Sequence, residues 1–287
     1  MKINKGYKIL VICIIGLTFC AFLLRYRESQ AMREIIRIAG SSTMIPIITK
    51  AAERFMDIHP NVRITVSPGG SGVGVKSIAN NLVDIGMVSR NISEEERKAF
   101  PQADFRTYSI GADAVACVVS SEIYDAGVHA LSKQQMGKIY SGSIDNWKEV
   151  GGPDKKILCI DKESHRGARH VFMEYVFGDE EAQAQGTNLV VGSNNETQAK
   201  VALSDAGIAY VSFGWINQDV KGVGVKIGEE IIWPTTDNIR KHIYPIVRNL
   251  YLVTNGPPSG AAGDFIYFMT GPEGQSVVNE SGFIAIQ

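Results

Sequence analysis

The stretch CIDKESHRGARHVFMEYVFG sets a short apolar run, a polar turn over 162–167 and a helix-patterned run in immediate succession. A strand that turns directly into a helix is half of a βαβ unit, and a chain carrying several such halves folds as an α/β protein. Two further stretches share the design. EIIRIAG leads through Ser41, Ser42 and Thr43 into a run with apolar residues at helical spacing, and VRITVSP leads through GGSG into a helix opening near Gly72. The turns also share a chemistry. A helix N-terminus carries unpaired N–H groups and a positive dipole end, so Arg166, Arg169 and His170 at one, surplus hydroxyls at another, and glycines with Ser71 at the third favour a phosphate-like or carboxylate anion. Each turn alone also reads as an ordinary cap or solvated first turn.

Between these units the pattern stays α/β. Ser89-Arg90-Asn91 forms a further polar turn after the apolar run Ile85–Val88, with a salt bridge from Arg90 to the acidic run 94–96 as the alternative to anion binding. YSIGADAVACVVSS reads as a long β segment that Gly111 breaks, placing Asp113 at a crossover between lobes. Residues 231–248 then cross back with Tyr244 and Pro245 extended, and the tail holds two helical pieces and a closing strand. No fixed-period repeat, low-complexity tract or Pro- and Ser-rich linker interrupts the chain, so crossing strands must join the lobes. The expected division is 33–112 with 249–287 as lobe I and 113–248 as lobe II.

Residues 1–31 are expected to be a signal peptide or an N-terminal membrane anchor. Lys2, Lys5 and Lys8 precede an apolar run at 9–24, and Ser29 and Ala31 are small at the positions a signal peptidase reads. The chain is therefore expected on the outer face of the cytoplasmic membrane, in the periplasm or its extracellular equivalent. Cys13 and Cys20 fall in that segment, which leaves Cys117 and Cys159 as a permitted disulfide or two buried thiols. A net charge of -1 removes any general electrostatic case for nucleic acid or an anionic membrane surface.

Two catalytic motifs come close and fail. A dinucleotide fingerprint needs glycine where Val75 stands, and a nucleophile elbow around Ser71 needs glycine where Val73 stands. A phosphoester hydrolase using Ser42 or Ser71 with His165 or His170 remains the competing class. No carboxylate cluster has metal-ligand spacing, His165 and His170 lie on different faces of a helix, and no cofactor is expected.

Taken in order, IAGSSTMIPI, GGSGVGVKSI, DIGMVSR, IYSGSIDNW, HRGARHVF, GIAYVS, YPIVRNLY and GFIAI resemble the phosphate-binding proteins of the ABC-transporter substrate-binding family. The resemblance implies two α/β lobes of the periplasmic-binding-protein type joined by a hinge, high-affinity capture of inorganic phosphate, delivery to an ABC permease, a monomer, and no enzymatic activity. It places Ser42, Thr43 and Ser71 as first-lobe donors. The family's G-S-G-T-R turn falls on His165-Arg166-Gly167-Ala168-Arg169, keeping Gly167 and Arg169 but losing two hydroxyl donors and gaining a guanidinium and an imidazole, and Lys162 stands where an arginine often begins the loop. Some members carry an aspartate where Arg90 stands, which accepts the proton of hydrogen phosphate and so rejects sulfate. With arginine there, Asp113 is the candidate acceptor, a structural hinge carboxylate being the alternative. Another oxyanion or a signalling role on the same fold stays open on these substitutions.

Overall fold

The computed structural model describes residues 34–286, so the leader, Cys13 and Cys20 lie outside the described residues. The first lobe opens with β1 (Glu34–Gly40), α1 (Ile45–Ile58), β2 (Val62–Pro68), α2 (Ser71–Ala79), β3 (Ile85–Val88) and α3 (Glu94–Ala99). β1 pairs in parallel with β2 along its length, from Glu34 opposite Val62 to Gly40 opposite Pro68, and with β3 on its other side. Parallel neighbours require crossover connections, which α1 and α2 supply. α1 buries Ile47, Ile48, Ala51, Ala52 and Phe55, the stripe that its helical spacing predicts. The capping expected of Ser41, Ser42 or Thr43 is not made. A single 3-10 turn over Ser42–Met44 leads into α1 with no side-chain cap, and Pro46 stands in its first turn.

β4 (Phe105–Ser120) continues as one strand past Gly111, where its pairing shifts register by one residue at Ile110, and carries the chain into the second lobe. There follow α4 (Ser121–Asp125), β5 (Ala130–Ser132), α5 (Lys133–Tyr140), β6 (Leu158–Lys162), α6 (Gly167–Phe177), β7 (Leu189–Val191), α7 (Asn194–Ala202), β8 (Gly207–Ser212), β9 (Val220–Gly222), β10 (Gly224–Ile227), β11 (Glu230–Ile232) and α8 (Thr236–Arg240). β12 (Val247–Asn255) returns to the first lobe, where α9 (Gly260–Thr270) and α10 (Pro272–Glu280) complete the described chain. The main sheet has the order β2-β1-β3-β12-β4-β8-β6-β7 with β9 against β4, and β11-β10-β5 form a second small sheet.

β4 and β12 are the crossing strands, antiparallel from Asn255 opposite Phe105 to Val247 opposite Ala114. The return is made by β12, which begins at Val247 inside the expected stretch 231–248; the rest of that stretch is spent on β11, α8 and a turn. The closing strand expected in the tail reduces to one antiparallel bridge between Ala112 and Ile284. Two hydrophobic cores flank the crossing. Ile110 and Leu250 join Ile38, Ile47 and Phe265 on one side, whereas Ala114 and Ile246 join Trp147, Phe172 and Tyr210 on the other. Cys117 and Cys159 are buried free thiols in the second core's strands, and burial pushes the Cys117 thiol up to about 12, which leaves it unreactive.

Candidate functional site

Four helix N-termini, two from each lobe, meet at one cavity. They are the turn at Ser42 and Thr43 ahead of α1, Gly70 at the N-cap of α2, Arg166, Gly167 and Ala168 at the start of α6, and Asn194 at the start of α7. Ser41, Ser89, Lys162 and Gly192 complete the lining, and the cavity measures about 10 Å3, close to the room one water needs. The lobes approach closely because glycines face the gap. Gly70 has φ +95, and a Cβ on it would lie 2.9 Å from His165 Cδ2; a Cβ on Gly167 would lie 2.7 Å from Ser89 Oγ. The Gly72 N–H donates to the His165 carbonyl across the gap at 3.1 Å, and Asn194 Nδ2 donates to Thr43 Oγ1 at 3.1 Å.

Arg248, the second residue of β12, organises the floor. Its Nε and Nη2 donate to Asp113 Oδ2 at 3.0 and 2.7 Å, Nη2 also to Thr43 Oγ1 at 2.9 Å, and Nη1 to Ser89 Oγ at 3.2 Å. Thr43 Oγ1 therefore accepts from Arg248 and Asn194 and keeps its own proton to donate. Ser212 Oγ and the Phe213 N–H complete the shell of Asp113 at 2.9 and 3.3 Å. Burial pushes that carboxyl above its ordinary value while the Arg248 guanidinium pulls it back.

The second-lobe wall carries two cations. Arg166 Nε donates to Glu163 Oε2 at 2.8 Å, and Nη2 reaches the same oxygen. Lys162 Nζ donates to the Ser193 carbonyl at 3.3 Å and to Thr197 Oγ1. Burial, with Arg248 and Arg166 nearby, pushes the Lys162 ammonium down to about 7.

Of the eight expected site residues, Ser42, Thr43, Arg166 and Gly167 line this cavity and four do not. Ser71 is wholly buried beneath it, its Oγ accepting from the Ser89 N–H at 3.0 Å and lying 3.2 Å from Ser89 Oγ. Arg90 turns away: Nη1 and Nη2 bind the Glu96 carboxylate at 2.7 and 2.8 Å, and Nη1 the Asn91 carbonyl at 2.7 Å. The salt-bridge reading of Arg90 is the correct one, although the pair is largely buried. Arg169 points below the helix, with Nε on Asp161 Oδ2 at 3.1 Å and Nη2 on the Ala182 carbonyl at 2.7 Å. Asp113 lies outside the cavity, buried where β4 pairs with β12, its oxygens occupied by Arg248 and Ser212. Sequence reading missed Gly70 and Asn194, and had Ser89 and Arg248 only as members of a polar turn and of the returning stretch. Asn194 had a signal, since LVV-GSNN-ETQAKVA is a fourth strand, polar turn and helix of the same design.

Neither histidine serves a serine. His165 Nε2 faces Glu163 at 3.4 Å and His170 Nδ1 faces Glu180 and Glu181, while Ser71 is bonded to Ser89.

Two α/β lobes, paired crossing strands and a cleft built from helix N-termini define a ligand-capture receptor, and the family model described as PBP superfamily domain matches residues 27–273. The phosphate-binding protein PstS of Borreliella burgdorferi is 32% identical over 272 residues, covering 92% of this chain and 95% of that protein. PstS of Bacillus subtilis is 30% identical, covering 88% of this chain and 80% of its own. Among solved structures, a substrate-binding protein with bound phosphate from Clostridium perfringens superposes with TM-score 0.79 at 27% identity, covering 88% of this chain and 100% of that one. An ABC-type phosphate transport receptor from Vibrio cholerae gives 0.70 at 28% identity, covering 87% and 99%. The chain belongs to the phosphate-binding family of ABC-transporter substrate-binding proteins, which are receptors rather than enzymes.

Proposed function

We propose that this protein captures inorganic phosphate outside the cytoplasm, as a monomer, and hands it to an ABC permease. The observation that carries the reading is the convergence of four helix N-termini on one cavity beside Arg166 and Lys162. Each terminus contributes about 0.3–1 kcal/mol toward an anion, and up to ~2 kcal/mol where partly buried. Ser42 and Thr43 donate from the first lobe, and Arg166 with the N–H groups of Gly167 and Ala168 from the second. A tetrahedral oxyanion is much larger than a 10 Å3 cavity, so it enters when the lobes part. Asp113 on β4 and Arg248 on β12 mark the proposed hinge and the division between lobes I and II, because the two cores separate there. Calorimetry with phosphate tests this: one site per chain, weakened by Arg166→Ala, is expected, and no heat at millimolar phosphate overturns it.

A second oxyanion is a real competitor on one observation. Among the described residues no carboxylate lines the cavity, so nothing of that type accepts the proton by which hydrogen phosphate differs from sulfate. Affinities for phosphate and sulfate compared across pH separate the readings: a selective receptor prefers phosphate throughout, and equal affinities assign a general oxyanion receptor.

A further inference from the structure

In the first turn of α6 but outside the anion cavity, His170 is buried with 5% of its surface exposed, and its Nδ1 has no hydrogen-bond partner among the described residues. That nitrogen points at two carboxylates, 3.5 Å from Glu180 Oε2 and 3.6 Å from Glu181 Oε1. These separations are long for hydrogen bonds. They match the edge of a metal polyhedron, since bonds of about 2.0–2.2 Å to nitrogen and oxygen in a tetrahedron set neighbouring ligand atoms about 3.4 Å apart. All three ligand atoms lie within 4.8 Å of one another.

We propose that His170, Glu180 and Glu181 form a binding site for a divalent transition-metal ion, zinc foremost. One imidazole and two carboxylates are a borderline donor set that suits zinc and leaves a fourth position open, whereas calcium and magnesium prefer oxygen alone. His170 and Glu180 also line a 650 Å3 pocket between the lobes, which gives the ion its path of entry and the open position its water. The surroundings are acidic, with Glu174 on the same pocket wall, and the nearby Arg90 guanidinium is bonded to the Glu96 carboxylate. The ligands are ten and eleven residues apart, and only the turn after Gly178, which ends α6 in the left-handed region, folds them together. That is why no metal spacing is visible in the sequence. The bound ion staples this turn to the helix whose first residues line the anion cavity, beside the bond from Arg169 to the Ala182 carbonyl.

Zinc titration of the untagged, metal-stripped full chain in phosphate-free buffer tests the site. One zinc per chain is expected by calorimetry and by metal content after dialysis. Glu180→Gln with Glu181→Gln removes two partly exposed carboxylates, so the fold survives, checked by an unchanged melting temperature without zinc. The double variant is expected to lose more than about 100-fold in zinc affinity, beyond the roughly 10- to 100-fold that removal of an outer-shell partner typically costs. Cobalt(II) in the intact chain is expected to show the strong visible absorption of a four-coordinate ion, absent from the variant. Failure to retain stoichiometric zinc, or equal zinc binding by the double variant, overturns the proposal.

Discussion

Arg166 and Thr43 contribute to the cavity in different ways, and the difference can be measured. The Arg166 guanidinium is forked and charged, so its bonds to a dehydrated oxyanion are worth about 1.5–3 kcal/mol against about 0.5–1.5 kcal/mol for a neutral hydroxyl. Arg166→Ala is therefore expected to weaken phosphate binding roughly 10- to 150-fold. Thr43→Ala weakens it less, although it also removes the acceptor shared by Arg248 and Asn194 and so lowers stability. Calorimetric losses in the reverse order would transfer the main role to Thr43. Arg166 is not idle without ligand, because Glu163 holds it and is itself held below the usual carboxylate range by Arg166. Glu163→Gln is expected to raise phosphate affinity a few-fold by freeing the guanidinium, and lower affinity would mean that Glu163 positions Arg166 rather than competing for it. Arg90→Ala supplies the contrast. Phosphate affinity should stay within about twofold while the melting temperature falls, since Glu96 loses its partner and the capping box from Ser93 to Glu96 is left to hold α3 alone.

At the scale of elements, the junction of β6 and α6 is the working part, and Lys162 makes it pH-dependent. Its pKa near 7 in the folded chain lies below the ordinary value of 10.5, so the unfolded chain binds more protons between those limits. This group's contribution to stability therefore rises with pH across that window and is least at and below 7. An anion seated beside Lys162 favours the ammonium form, so binding above pH 7 draws in a proton. At about pH 9, where phosphate is uniformly the dianion, calorimetry in buffers of different ionisation heat is expected to register uptake of a fraction of a proton up to one, abolished in Lys162→Met. Equal uptake in the variant would place the proton elsewhere. The strand, polar turn and helix units behind this junction were legible because their signal is local: β1 with α1, β2 with α2 and β6 with α6 all exist where apolar period and turn residues place them, although β6 runs on through Lys162, which the sequence put in the turn. The directions of arginines were not legible. Arg90 had its partner six residues away in plain view, with Ser93 and Glu96 spelling a capping box, whereas Arg169 needed the Ala182 carbonyl and Asp161 to fix it. Arg248 reaches Thr43 across 205 residues, a contact set only by where β12 lies in the sheet.

The described molecule sets its two largest cores on either side of the crossing strands and joins its lobes by a set of contacts across the cleft. Asp113 and Arg248 sit on neighbouring strands at the crossing, with side chains 1% and 2% exposed. Truncating Asp113 to alanine leaves a buried guanidinium without its main partner, a loss of about 3–5 kcal/mol read as a lower denaturant midpoint. Across the cleft the lobes touch through Gly72 on the His165 carbonyl, Asn194 on Thr43, and Gly167 against Ser89. An oxyanion bonded from both sides adds to this set only in the closed arrangement, so it favours closure by its differential affinity for that state. The same linkage stabilises the fold: phosphate at about 100 times its dissociation constant adds about 2.7 kcal/mol, which for a chain of this size raises the melting temperature by roughly 5–10 °C. Gly167→Ala separates closure from charge, because it removes no donor and places a methyl group 2.7 Å from Ser89 Oγ when the lobes meet. The variant is expected to keep the wild-type melting temperature without phosphate to within a few degrees and to lose most of the phosphate-induced rise. X-ray scattering should show its radius of gyration unchanged by phosphate while that of the wild type contracts. A full phosphate-induced rise in Gly167→Ala would mean that the anion is held by one lobe alone, and the crossing at Asp113 and Arg248 would then be a strut rather than a hinge.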